Sequence, residues 1–253
     1  MPEEELSERC PTGIKGFDKL IEGGFPRGRT ILLAGESGTG KTIFATEFLC
    51  RGAERYNEPG VLVMLEQDPA ELKKDLKSFN FNFEKLVESE KIKIIDASLS
   101  KRQLGDLISS KTEKKGVLTL LPAEREAGKL ADIIIKTARG IGAKRVIVDS
   151  VPALNIVSED PADVREILLN MNYKLKNAHL TTILISELSE YRDILTRGIE
   201  SYIVDGIITL HYSASGELAG RTLIIKKMRS THHSENIHPI QFVRGEGVVI
   251  SDV

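Results

Sequence analysis

A glycine-rich segment near the start of the chain has the residue types and spacing of a phosphate-binding loop. It matches the pattern G-x-x-x-x-G-K-[ST] and consists of Gly35, Glu36, Ser37, Gly38, Thr39, Gly40, Lys41 and Thr42. Glycines allow consecutive backbone N–H groups to face phosphate oxygens, and a helix that starts after the loop adds the positive end of its dipole. The side chain of Lys41 can reach the β and γ phosphates. The segment therefore predicts a site for a nucleoside triphosphate, which we take to be ATP.

Two carboxylates follow predicted strands and supply the other groups that triphosphate hydrolysis requires. Asp149 ends the apolar run 146–148, and we expect it to hold Mg²⁺ together with the hydroxyl of Thr42. Glu66 follows the apolar run 61–65, and we assign it as the general base that orients the attacking water. The alternatives are a capping or turn role for Asp149 and a solvated loop position for Glu66.

Short apolar runs that alternate with segments of helical period must position these groups. The runs predict strands at residues 30–34, 61–65, 92–95, 146–148 and 182–185. Apolar stripes predict helices at 123–141 and 160–178, the second with Asp160 as N-cap and Pro161 at the first helical position. Such alternation is typical of an α/β fold with a mostly parallel sheet and helices on both faces.

The pattern changes after about residue 204 to strands without intervening helices. Residues 206–212, 221–228 and 237–243 have strand character, and 213–216 have the composition of a turn. These strands predict a C-terminal antiparallel β extension. We expect residues 1–253 to form a single domain, since this length is sufficient for one large hydrophobic core.

The composition excludes several classes of protein. No apolar run is long enough to span a bilayer, so we expect no membrane role. The acidic residues 1–5 lack the apolar stretch of a secretory signal, which favours a cytoplasmic location. Cys10 and Cys50 are far apart and have no neighbouring metal ligands, so neither a disulfide framework nor a zinc site is expected.

The segment that leads into the phosphate loop resembles the same region of KaiC-like ATPases, a branch of the RecA superfamily. Residues 12–28, TGIKGFDKLIEGGFPRG, carry the closest resemblance. Further matches follow in the order of the family: Leu65-Glu66, residues 146–150, residues 204–208 and residues 227–233. The resemblance covers nearly the whole chain and implies a RecA-type P-loop fold in a single-domain form.

The same resemblance assigns roles near the C-terminus. Lys227 and Arg229 match a K-x-R-x-x-x-H segment that reaches the γ-phosphate bound by a neighbouring subunit, and His233 ends that segment at the nucleotide. This implies a homo-oligomeric ring, usually a hexamer. Period-two alternation in residues 225–229 independently places Lys227 and Arg229 on one strand face, where two cations can stabilise a transferring phosphoryl group. The alternative is a solvated face of an edge strand.

Two positions depart from the family pattern. Many relatives carry two successive acidic residues where this chain has Glu66-Gln67, so hydrolysis is expected to be slow or differently tuned. KaiC autophosphorylates adjacent Ser and Thr residues that correspond to Ser201 and Tyr202 here. One acceptor is retained and one is lost, and we do not favour an autokinase role.

Three functions are consistent with these residues. We favour a Mg²⁺-dependent signalling or regulatory ATPase that acts on an unidentified protein partner. A DNA-acting recombinase paralogue would use loops 151–160 and 187–197, but the first loop has no Lys or Arg and the formal net charge is -2. A nucleotide-gated binding module with little turnover is the third hypothesis, because Gln67 replaces a carboxylate.

Overall fold

An eleven-stranded sheet occupies the centre of the computed structural model, which describes residues 9–98, 113–114, 116–120, 127–156, 161–187, 203–213 and 220–251. The strands are β1 (Arg9–Cys10), β2 (Phe25–Pro26), β3 (Thr30–Gly35), β4 (Gly60–Met64), β5 (Ile92–Asp96), β6 (Glu113–Lys114), β7 (Val117–Thr119), β8 (Arg145–Asp149), β9 (Thr181–Glu187), β10 (Gly206–Ser213), β11 (Gly220–Met228), β12 (Ile237–Val243) and β13 (Gly247–Ile250). The helices are α1 (Lys41–Arg55), α2 (Pro69–Leu76), α3 (Phe83–Glu88), α4 (Ala127–Ile141) and α5 (Pro161–Asn177).

The order of strands in the main sheet is β13-β12-β11-β10-β3-β9-β8-β4-β5-β7-β6. The strands from β10 to β7 in that order run parallel to one another. β11, β12 and β13 extend one side of the sheet in antiparallel fashion, and β6 does so on the other. The predicted α/β fold, with a mostly parallel sheet and a C-terminal antiparallel extension, is confirmed.

Apolar side chains cover the sheet on both faces. On one face, Phe17, Phe44 and Phe48 belong to a core that also includes residues of α2 and α3. On the other face, Ile134 of α4 and Leu168 of α5 belong to a second core. Strands covered on both faces cannot alternate between apolar and polar residues, which explains why β3, β4, β8 and β9 appear in the sequence as continuous apolar runs.

The observed boundaries differ from the predicted ones mainly at element ends. α5 begins at Pro161, as expected for a proline at the first helical position, whereas Asp160 lies outside the described residues. The described part of the first predicted helix is α4, and the turn at 214–216 also lies outside the description. The sequence pattern does not predict α2, α3 or the short strands β1, β2, β6, β7 and β13, because these elements are too short for a clear periodicity. None of the described helices combines the length and apolar character needed to cross a membrane.

A fully buried arginine joins α1 to the sheet. Arg145, the first residue of β8, has no exposed surface, and its Nε donates to Glu58 at 2.8 Å. Its guanidinium also donates to the carbonyl oxygen of Phe48 at 2.8 Å and lies 4.5 Å from the centre of the Phe48 ring. A Cβ at Gly52 of α1 would come within 2.4 Å of Arg145 Nε, so this helix position requires glycine.

Replacing the carboxylate of this pair should destabilise the protein strongly. In Glu58→Gln the guanidinium of Arg145 stays buried without its counter-charge, and we expect the free energy of unfolding to fall by about 3 kcal/mol. Urea denaturation at neutral pH measures this loss. Glu90→Gln is the matched control, since Glu90 pairs with Lys93 with its own side chain 53% exposed, and should cost less than about 0.5 kcal/mol. Equal losses in the two variants would contradict a structural role for the buried pair.

Candidate functional site

The predicted phosphate loop connects the end of β3 to the start of α1. Gly38 and Gly40 adopt φ angles of 77° and 98°, a region that side chains rarely occupy. A Cβ at Gly40 would also come within 2.0 Å of the ring of Phe242. Both observations explain why glycines stand at these positions. Because α1 begins at Lys41, directly after the loop, its first backbone N–H groups have no acceptor within the helix.

The ammonium group of Lys41 is held inside this loop. Lys41 Nζ donates to the carbonyl oxygens of Gly35 and Glu36, each at 2.9 Å. It also forms an ion pair with Glu187 Oε1 at 3.1 Å. The Lys41 side chain is only 9% exposed, so it is already fixed where the terminal phosphates of a nucleotide are expected.

The two predicted metal ligands are in direct contact. Thr42 Oγ1 donates to Asp149 Oδ2 at 2.7 Å, which joins the start of α1 to the end of β8. A hydroxyl and a carboxylate are hard oxygen donors of the kind that Mg²⁺ accepts, and Mg²⁺ usually takes its other ligands from phosphates and water. Within the described ranges, no group of three or more His, Cys, Asp or Glu side chains could hold a metal by itself. The residues therefore fit a metal that binds together with a nucleotide.

The carboxyl group of Asp149 has an unusual environment. Burial and, to a smaller extent, the nearby charges of Glu66 and Glu187 raise the pKa of Asp149 to about 6. The hydrogen bond from Thr42 and the charge of Lys41 act in the opposite direction. Asp149 in the nucleotide-free protein thus resists ionisation, and a bound cation would favour the ionised form.

Glu66 lies at the same edge of the sheet as Asp149. β4 and β8 are parallel neighbours, and the backbone N–H of Leu65 donates to the Asp149 carbonyl at 2.7 Å. Glu66 is exposed, as required for contact with an incoming water. Gln67 occupies the position where relatives were expected to carry a second acid, and its side-chain amide donates to Asp75 of α2 at 3.1 Å.

Glu187 is a third carboxylate of the site, and the sequence analysis did not assign it a role there. It ends β9, which lies between β3 and β8, and it pairs with Gly35 in the parallel register. Glu66 and Asp149 directly follow their predicted apolar runs, whereas Ser186 separates Glu187 from the predicted run 182–185. In the sequence, Glu187 therefore falls at the start of the loop 187–197.

A cluster of aromatic rings and a cation borders the phosphate loop. Arg221 of β11 donates to the carbonyl oxygen of Gly38 at 3.1 Å. Its guanidinium lies 5.6 Å from the ring centre of Tyr212 and 5.4 Å from that of Phe242. Tyr212 and Arg221 are cross-strand partners in β10 and β11, a pairing that cannot be read from the sequence without knowing the register. The sequence pattern therefore does not predict this cluster.

Lys227 and Arg229 lie at the opposite edge of the sheet from the phosphate loop. Arg229 N donates to the Asp205 carbonyl, and Asp205 N donates to the Thr30 carbonyl, which places Arg229 level with the start of β3. The loop follows Gly35 at the end of β3, about 17 Å away along the strand. Arg229 therefore cannot reach the phosphate site of its own chain.

The structure nevertheless brings Lys227 and Arg229 together. Lys227 Nζ donates to the Val204 carbonyl at 2.7 Å, and Arg229 Nη1 lies 3.8 Å from Asp205 Oδ1. Burial and the charge of Arg229 lower the pKa of Lys227. A register shift between β10 and β11 leaves Lys226 without a cross-strand residue on β10. The alternation of side chains between the two strand faces, which the prediction for residues 225–229 assumed, is therefore interrupted. Arg229 follows the end of the strand at Met228.

His233 follows the two cations in a segment that joins β11 to β12. Its Nδ1 lies 3.0 Å from the Ser234 carbonyl oxygen, and the ring is half-buried. Its assignment to a nucleotide remains a prediction. Ser201, Tyr202 and the loop residues 157–160 and 188–197 lie outside the described residues.

A family model and a solved relative match this chain over nearly its whole length. A family model described as "ATPase: KaiC" matches residues 10–252. The chain belongs to the KaiC ATPase family. It is 36% identical over 245 residues to a UPF0273 protein of Methanocaldococcus jannaschii, and the match covers 96% of both chains. The crystal structure of a KaiC-like protein from Pyrococcus horikoshii OT3 shares 35% identity and a TM-score of 0.77, covering 96% of this chain and 99% of that one.

The KaiC-family relatives also include longer proteins. The chain is 33% identical over 251 residues to the circadian clock oscillator protein KaiC of Thermostichus vulcanus. This match covers 96% of the chain but 45% of the relative, so the chain spans about half the length of that clock protein. Family membership confirms the resemblance and the RecA-type fold, and it supports a nucleotide-binding ATPase domain.

The raised pKa of Asp149 predicts how the stability of this KaiC-family protein depends on pH. The native state retains a proton up to about pH 6, whereas the reference pKa is 3.8, so the stabilisation is present below pH 4 and is lost as pH rises through 6. Asp149→Asn keeps the neutral form at every pH. In chemical denaturation it should be more stable than wild type at pH 8, by on the order of 3 kcal/mol, and equally stable near pH 3.5.

The exposed Asp132 provides a control for this comparison. Asp132 forms a surface ion pair with Lys174, so Asp132→Asn should show no such pH-dependent gain. A constant difference between wild type and Asp149→Asn from pH 3.5 to pH 8 would contradict the inferred environment of Asp149.

Proposed function

We propose that this chain binds ATP with Mg²⁺ and hydrolyses it to ADP and phosphate. The contact between Thr42 and Asp149, next to the buried ammonium of Lys41, is the observation that carries the proposal. α1 supplies Thr42 and Lys41, the end of β8 supplies Asp149, and the loop between β3 and α1 supplies the Glu36 carbonyl that holds Lys41. A capping role for Asp149 alone would not require a buried lysine and a carboxylate after the neighbouring strand β9.

Each residue of the site has a defined task in this reaction. Mg²⁺, when bound by Thr42 and Asp149, neutralises charge on the phosphates and orients them. Lys41 and the backbone amides of the loop hold the β and γ phosphates. Glu66 orients the attacking water and accepts its proton as the oxygen bonds to the γ phosphorus and the bond to the β-phosphate oxygen breaks. The burial of Lys41 and Asp149 strengthens these electrostatic contacts.

A ring of identical subunits is the assembly that the geometry supports. Carboxylates collect at the edge of the sheet where the phosphate loop lies, including Glu36, Glu66 and Glu187. Lys227 and Arg229 lie at the other edge, out of reach of their own loop. Head-to-tail association places the basic edge of one copy against the nucleotide edge of the next and closes into a ring when the rotation permits. Lys227 and Arg229 then stabilise the charge on a neighbour's γ-phosphate.

A nucleotide-gated binding module with little turnover is the second candidate. The observation that favours it is the hydrogen bond between Gln67 and Asp75, which ties the amide to α2 and supplies no second carboxylate to the site. Both candidates share ATP binding and assembly, and they differ in the rate of phosphate release. We propose that in either case the nucleotide state changes subunit packing and thereby signals to a protein partner.

Substitutions in the site should separate binding from turnover. Lys41→Ala should abolish ATP binding measured by calorimetry, because the ammonium that faces the terminal phosphates is lost.

Glu66→Gln should bind ATP normally but release phosphate at least about a hundredfold more slowly, the contribution expected of a general base. Glu71→Gln on α2 is the control and should keep the wild-type rate. Normal turnover in Glu66→Gln would assign the base elsewhere, and turnover stimulated by single-stranded DNA would favour a recombinase-like activity.

Mixing two inactive variants tests whether the cations act on a neighbour. Arg229→Ala lacks the cation but keeps the base, whereas Glu66→Gln lacks the base but keeps the cation. Each variant alone should be slow, and mixtures should recover phosphate release at interfaces that pair an intact Glu66 with an intact Arg229. A rate that stays at the level of the separate variants for every mixing ratio would contradict action between subunits.

A further inference from the structure

A basic cleft lies at the edge of the sheet opposite the phosphate loop. It has a volume of about 900 Å³ and lies where β3 and β9 begin and α5 ends. The charged or titratable nitrogen groups that line it belong to Arg9, Arg27, Arg29, Lys144, Lys176 and His179. Among the residues that line the cleft, Glu22 is the one carboxylate. This volume is typical of a small-molecule site.

Carboxylates that contact Arg9 and Arg27 are too few to neutralise the cations of the cleft. Glu22 pairs with Arg9 at 2.7 Å. Arg27 Nη1 lies 2.6 Å from Glu58, but Glu58 also serves the fully buried Arg145. The Arg27 side chain keeps 40% of its surface exposed, so its guanidinium stays accessible to a ligand.

Arg29 and Lys176, which also line the cleft, show the same excess of positive charge. The buried carboxylate of Asp205 is shared by Lys176 at 2.9 Å, Arg29 at 3.2 Å and Arg229 at 3.8 Å. One carboxylate thus faces three cations. Lys144 also lines the cleft, is exposed and adds a further positive charge. A concave surface with uncompensated charge of one sign concentrates counter-ions of the other sign.

We propose that this cleft is a second anion site, separate from the phosphate loop, and that it binds a compact anion with two or more phosphoryl groups. Arginine forks match phosphoryl oxygens in geometry and form short, charge-assisted hydrogen bonds with them. Arg27 and Arg29 flank Gly28, so two guanidinium groups come from positions only two residues apart. No Phe, Tyr or Trp lines the cleft, so it lacks the surfaces on which the bases of a nucleic acid would stack.

Pyrophosphate is the probe, and the Lys41→Ala variant removes the phosphate loop from the measurement. In calorimetry at pH 7.5 with a chelator present, wild type should bind pyrophosphate at two sites and Lys41→Ala at one. Adding Lys144→Glu to Lys41→Ala should weaken the remaining site by about tenfold or more, the effect expected for one charged contact. Adding Lys74→Glu, which alters an exposed lysine of α2, should leave it unchanged. High salt should weaken binding at the cleft.

A second variant and a second ligand sharpen the test. Arg27→Gln in the Lys41→Ala protein should weaken pyrophosphate binding as Lys144→Glu does, and an unchanged thermal midpoint establishes that the variants are folded. ADP that binds as tightly as pyrophosphate would identify the diphosphate end of a larger molecule as the ligand, whereas much weaker ADP binding would identify a free oligophosphate.

Three results would overturn the proposal. The first is loss of all pyrophosphate binding in Lys41→Ala alone, and the second is an unchanged affinity in both Lys144→Glu and Arg27→Gln. The third is a single-stranded oligonucleotide that binds the Lys41→Ala protein while pyrophosphate does not. A failure of the proposed ATP site would instead appear as a wild-type protein with one pyrophosphate site that Lys144→Glu weakens.

Discussion

The direction of the strands determines where the residues of the phosphate site and the pair Lys227 and Arg229 lie. Because β3, β9, β8 and β4 run parallel as neighbours, the residues that follow them meet at one edge of the sheet. This brings the phosphate loop, Glu187, Asp149 and Glu66 together without any of them being close in sequence. β11 runs in the opposite direction and brings Lys227 and Arg229 to the other edge. The two edges consequently carry different sets of charged side chains.

The protein holds several charges away from water, and each has a specific partner. Arg145 is stabilised by Glu58 and by the ring of Phe48. Asp205 is stabilised by three cationic side chains. These buried pairs fix the relative positions of elements, since removing one partner leaves an uncompensated charge. Asp149 differs because its partner in the nucleotide-free chain is a hydroxyl, so burial is only partly offset. The site thus keeps a carboxyl group that favours the arrival of a cation.

Much of the fold and part of the site could be predicted from the sequence. The phosphate loop follows a local pattern, and Glu66 and Asp149 follow apolar strands that are visible without a structure. The cluster of Arg221, Tyr212 and Phe242 could not be predicted, because it depends on the register between β10, β11 and β12. The register shift between β10 and β11 that leaves Lys226 without a cross-strand residue could not be predicted either. Contacts between distant segments depend on packing that no local periodicity encodes.

Arg29, Lys176 and Arg229 share the carboxylate of Asp205, and this sharing couples the cleft to Arg229 thermodynamically. Arg29 and Lys176 border the cleft, and Arg229 belongs to the pair that we assign to a neighbouring subunit. Whatever draws Lys176 away leaves Asp205 with a stronger attraction for Arg229, and withdrawal of Arg229 strengthens the hold on Lys176 by the same free energy. Under the two proposals above, an anion that draws on Lys176 in the cleft and a neighbouring subunit that draws on Arg229 would therefore oppose each other, coupled through the side chain of Asp205.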